Sequence, residues 1–129
     1  MKEMYFKKDL TKLKSFRENV RQFASSKELE KQENSENDDS WVCQIKKDSK
    51  VTLSIGSKAV TILVESFSED TIKVSIGEGK WLSKIAGGVV TSVASGPLFL
   101  LALPTTVAGV YGQAKLQQEI VSLANLTLA

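Results

Sequence analysis

Apolar positions along this chain change their spacing twice, and each change marks a different element. From Lys2 to Phe23 the apolar residues Phe6, Leu10, Leu13, Phe16, Val20 and Phe23 recur at steps of three and four, the period of one helix face. The spacing predicts a basic amphipathic helix over residues 1–24, with Lys7, Lys8, Lys12, Lys14 and Arg21 mostly off the apolar face. Ser25 to Ser40 holds a single aliphatic residue, Leu29. Such a stretch cannot bury enough surface to offset its ordering entropy, which predicts a polar linker over 25–40.

From Trp41 the period becomes two. Trp41, Cys43 and Ile45 alternate with polar residues, as do Val51, Leu53 and Ile55, then Val60, Ile62 and Val64, then Ile72, Val74 and Ile76. Turn-type residues separate the runs at hairpin lengths. This predicts a four-stranded antiparallel meander over 41–79, apolar on one face, with Thr52, Ser54, Thr61, Lys73 and Ser75 on a polar other face. An apolar sheet face needs a cover, supplied by the N-terminal helix, the C-terminal helix or a second copy of the sheet. Leu116, Ile120, Leu123 and Thr127 then form one stripe of a C-terminal amphipathic helix over 113–129. The fold class is α+β.

Between sheet and last helix lies the longest apolar run. Ile85 to Val110 carries no charge and is bracketed by Lys84 and Lys115. About 20 apolar residues cross a bilayer, so the run is long enough to span. Gly87, Gly88, Gly96 and Gly109, with Pro97 and Pro104, break it into shorter pieces. Three geometries follow for residues 80–112: a single transmembrane segment, a Gly-rich hydrophobic helical hairpin in the membrane turning at Ser95-Gly96-Pro97, or a hairpin buried against the sheet. Gly88, Ser92 and Gly96 recur every four residues and would let another helix approach closely. Leu98, Phe99, Leu100, Leu101 and Leu103 are the candidate membrane contacts. Trp81 joins them, since an indole near Lys84 suits an aqueous–lipid boundary.

Charge is segregated rather than large. The net charge is +2, but residues 1–23 come to +4 and residues 24–40 to −4. A basic arm beside an acidic stretch predicts a surface contact or an intramolecular pairing; a nucleic-acid-binding domain would be more strongly basic. The early residues lack the apolar core of a secretory signal, so the N-terminus is expected in the cytoplasm. For the basic helix, docking on its own sheet competes with lying in a membrane interface and with a peptide-like partner site.

The chemistry of catalysis is thin. There is no histidine, the commonest general base and metal ligand. Cys43 sits in a strand pattern without a base to activate it. Gly77-Glu78-Gly79-Lys80 lacks the first glycine and the Ser/Thr of a phosphate loop. No catalytic, cofactor-binding or metal-binding residue is assigned, and no small-molecule substrate is inferred. The expectation is a small non-enzymatic membrane-associated protein, with membrane lipid and a homo-oligomer or partner helix as its contacts. The alternative is a soluble α+β protein-interaction module whose hairpin is buried in the core or an oligomer interface. A membrane-permeabilising assembly is a third class, weakened by the absence of charge to line a pore.

Overall fold

Asp9 divides the first predicted helix in two. Its carboxylate accepts the backbone N–H groups of Thr11 (3.0 Å) and Lys12 (3.1 Å), an N-cap that starts a helix at Leu10. The residues before it run extended. The computed structural model describes residues 2–47, 58–80 and 110–129. In chain order they form β1 (Lys2–Lys7), α1 (Leu10–Ser26), β2 (Leu29–Asn34), β3 (Trp41–Lys47), β4 (Lys58–Ser66), β5 (Thr71–Lys80) and α2 (Val110–Leu128).

The described strands make one antiparallel sheet in the order β1-β5-β4-β3-β2. β1 and β2 therefore lie parallel at opposite edges, and α1 carries the chain from one edge to the other. The register sets Met4, Val74, Val64 and Trp41 in one cross-strand row, with Ile76, Ile62 and Cys43 in the next. Side chains alternate across a strand, so these residues share a face. Both helices cover it. Leu13, Phe16, Val20 and Ala24 of α1 and Leu116, Ile120, Ala124 and Leu128 of α2 are buried in the same cluster, and the rings of Phe16 and Trp41 meet edge to face at 5.8 Å. The helices run antiparallel: Asn19 donates to the Thr127 hydroxyl at 3.1 Å, and Lys12 to the carbonyl of Ala129 at 3.2 Å.

α1 ends in a tight turn. The N–H of Lys27 returns to the carbonyl of Phe23, and Glu28 takes φ 55°, the left-handed conformation that closes many helices.

Several expectations are corrected here. The α+β class, an antiparallel sheet and helices near both ends of the chain stand, but the sheet is five-stranded rather than four. Lys2–Lys7 is an edge strand, not the start of the N-terminal helix, because Met4 packs inward and Asp9 caps the helix afterwards. Leu29–Asn34 is the opposite edge strand rather than linker, since pairing to β3 satisfies its backbone despite its polarity. β3 pairs directly with β4, so no strand stands between them in the sheet; the expected strand Val51–Ile55 lies outside the described residues.

The expectation of a membrane protein with a transmembrane helix or hydrophobic hairpin is also corrected. Among the described residues there are two helices, and neither is long and apolar enough to cross a membrane. α2 is excluded by its polar side, Lys115, Gln117, Gln118 and Glu119. The proposed membrane contacts Trp81, Leu98, Phe99, Leu100, Leu101 and Leu103, and the packing residues Gly88, Ser92 and Gly96, lie outside the described residues.

Candidate functional surfaces

The sheet face away from the helices carries the expected polar residues Thr61, Lys73 and Ser75, and its centre is nevertheless buried. Val42, Gln44, Ala59 and Thr61 are 0% exposed, Ser75 3% and Leu63 4%. The register places all six on the side opposite the helix-covered cluster: Val42, Leu63 and Ser75 form one row, and Gln44, Thr61 and Gly77 the next. The face mixes the aliphatic Val42 and Leu63 with small, hydroxyl and amide side chains. A polar ladder crosses it, in which Gln32 donates to Gln44 at 2.9 Å and Gln44 to the Thr61 hydroxyl at 3.1 Å. Pairing of these buried groups removes the penalty of leaving them without partners. Gly77 and Gly79 lie on this face beside Thr61 and Ala59, and glycines inside a strand commonly mark where another backbone approaches closely. The edges are closed by charge, with Lys46 to Glu30 at 3.5 Å and Lys73 to Glu3 at 3.7 Å.

A second surface gathers the segregated charges. Arg17 and Arg21 of α1 face the acidic stretch of β2 and the β2–β3 turn, and Lys8 pairs with Asp39 at 3.3 Å, so part of the sequence asymmetry is spent inside the molecule. Glu33 is its hub. Its carboxylate accepts Arg21 Nη2 at 2.6 Å, Arg21 Nε at 3.0 Å, Lys31 Nζ at 2.7 Å and Trp41 Nε1 at 3.3 Å. Burial pushes its pKa up, but the hydrogen bonds from Arg21 and Lys31 outweigh burial and hold it at about 2. The same bonds raise Arg21 above the ordinary guanidinium value against its own desolvation.

Arg17 is placed differently. Its Nη2 donates to the carbonyls of Asp38 (2.8 Å) and Ser40 (3.1 Å), and its guanidinium lies over the Trp41 ring, 5.9 Å from the centroid. Its Nε is buried without a hydrogen-bond partner. Burial, and then the neighbouring Arg21, push the Arg17 pKa below its ordinary value. Beside it opens a cleft of about 580 Å³ lined by Leu10, Thr11, Lys14, Arg17, Arg21 and Asp38.

Cys43, packed in β3 under the helices, has its thiol pushed up chiefly by burial, which keeps it protonated and a poor nucleophile. Glu33 is too firmly ion-paired to take a proton near neutrality. Among the described residues no group of His, Cys, Asp or Glu is arranged to hold a metal ion.

The sequence-predicted contact residues lie outside the described residues, and other residues form these two surfaces. The residues that do, Gln44, Thr61, Arg17 and Glu33, were masked by their types: each is ordinary in a solvated strand or helix. The available signal for the second surface was the basic arm next to the acidic stretch; for the first it was the Gly77/Gly79 pair at period two. Comparison with known protein families, with curated proteins and with solved structures finds no match to this chain.

Proposed function

We propose that the chain is a non-enzymatic protein-interaction module in which the apolar run from Ile85 to Val110 packs against protein, seated on the second face of the sheet. The observation that carries this reading is the burial of both sheet faces. The helices account for one. The other is dry at Val42, Leu63 and Ala59, and its glycine trough at Gly77 and Gly79 offers a seat for closely packed backbone. An apolar run of this length needs such a surface, because leaving it in water forfeits about 25 cal/mol for every Å² of apolar area.

The test is a photoreactive side chain in place of Glu65, a half-buried residue on the second face. Irradiation of the purified protein followed by mass spectrometry is expected to join position 65 to residues 85–110. The mass of the product shows whether the run comes from the same chain or a second copy. Labelling confined to other segments would overturn the reading.

A further inference from the structure

The cleft along α1 has a composition that the internal charge pairing does not exhaust. Three cations line it, Lys14, Arg17 and Arg21, against one carboxylate, Asp38. Arg21 is spent on Glu33, which leaves Lys14 and Arg17 facing Asp38 with one positive charge in excess. Lys14 is exposed on the helix one turn before Arg17. Arg17 is held in place from two sides, by the carbonyls of Asp38 and Ser40 and by the Trp41 ring. A guanidinium fixed in this way loses little side-chain freedom on binding. Its Nε–H is buried and has no acceptor, so its resonance reports on the surroundings of the guanidinium.

The apolar part of the cleft is equally specific. Leu10 lines it and is half exposed, although it lies next to the cap that orders the helix. A bare inorganic ion would fill a small fraction of about 580 Å³ and would leave Leu10 in water. The excess of one charge, with Asp38 also in the lining, favours a singly charged group over a dianion.

We propose that this cleft binds an acidic peptide segment, with a carboxylate of the partner between the Arg17 guanidinium and the Lys14 ammonium and a neighbouring apolar side chain on Leu10. The Thr11 hydroxyl, also in the lining, supplies a further donor. This site is on the helix side of the sheet and does not depend on what covers the second face.

The experiment is a titration of the full chain, isotopically labelled, followed by the arginine Nε–H and backbone amide resonances. The probes are a capped hexapeptide of alternating glutamate and leucine, sodium acetate and inorganic phosphate. The peptide is expected to shift the Arg17 Nε–H signal and the amides of residues 10–21 saturably, at a concentration at least tenfold below acetate or phosphate. Lys14→Gln, an exposed change that leaves the fold intact by its amide spectrum, is expected to weaken the peptide at least threefold, and Arg17→Lys more. Lys12→Gln, which removes a cation from the α2 side of the helix, is expected to leave peptide binding unchanged. Phosphate saturating at or below the peptide concentration would overturn the peptide assignment. Unmoved Arg17 signals, or a Lys14→Gln variant that binds like the parent, would overturn the site.

Discussion

At the scale of single residues, Glu33 is the most consequential side chain on the surface. It turns a basic helix and an acidic strand into one body, taking donors from α1, from its own strand and from Trp41 of β3. A carboxyl held at about 2 when folded, against 4.5 as its ordinary value, contributes stability that is complete above about pH 4.5. That contribution disappears as pH falls toward 2. Partial solvent exposure discounts the size to about 1–3 kcal/mol. Glu33→Gln is therefore expected to cost about that much at pH 7 and to flatten the acid limb of stability between pH 5 and 2, measured as urea midpoints across that range. A variant whose acid limb matches the parent would assign acid sensitivity to other carboxylates. Cys43 makes the complementary case of a buried group with no partner to reward ionisation. Its alkylation by a thiol reagent at pH 8 is expected to proceed at the rate of global opening, speeding in step with destabilising variants. Rapid labelling of the folded protein would contradict its placement in the core.

At the scale of elements, what was legible in the sequence follows how much burial each element needs. β3, β4 and β5 are buried on at least one full face, so period two is plain in Trp41-Cys43-Ile45, Val60-Ile62-Val64 and Ile72-Val74-Ile76. α2 was equally clear, although its buried stripe runs through Leu116, Ile120, Ala124 and Leu128 rather than through Leu123 and Thr127. The edge strands were not legible. β2 reads LEKQEN because an edge strand covered on one side has few apolar positions and gains from charges that discourage further pairing. In β1, Phe6 happens to precede Leu10 by one helical step, which hid the period-two pair Met4 and Phe6 and the cap at Asp9. Asp9→Ala is expected to lower stability by about 1 kcal/mol, whereas an uncapped mid-helix position would tolerate it. Glu28 provides the converse test. A non-glycine residue at φ 55° carries a backbone penalty that glycine avoids, so Glu28→Gly is expected to raise stability by about 0.5–1 kcal/mol in a thermal melt. Destabilisation would show that the Glu28 side chain makes a contribution larger than its strain.

At the scale of the whole molecule, the question is how one sheet comes to be dry on both sides. A sheet of this kind ordinarily shows one face to water, and the sequence pattern of Thr61, Lys73 and Ser75 pointed that way. Pattern alone could not separate a wet polar face from a buried one, because Gln44 and Thr61 satisfy each other across the strands and so tolerate burial without apolar side chains. The distinction is energetic. If the second face is a true packing surface, a charge placed at Leu63 must be desolvated. Leu63→Asp is then expected to cost about 3–5 kcal/mol, comparable to Ile62→Asp on the helix-covered face, since both changes bury an unpaired charge. Lys7→Ser, at the exposed margin of the second face, is expected to stay within about 0.5 kcal/mol. Denaturant unfolding of the three variants measures this directly. The slope with denaturant matters as much as the midpoint, because loss of the second packing layer would expose apolar surface before global unfolding and lower the apparent cooperativity. A Leu63→Asp protein as stable as the Lys7→Ser variant would mean that shielding at this face contributes no packing energy, and the proposed seat for the apolar run would have no physical basis.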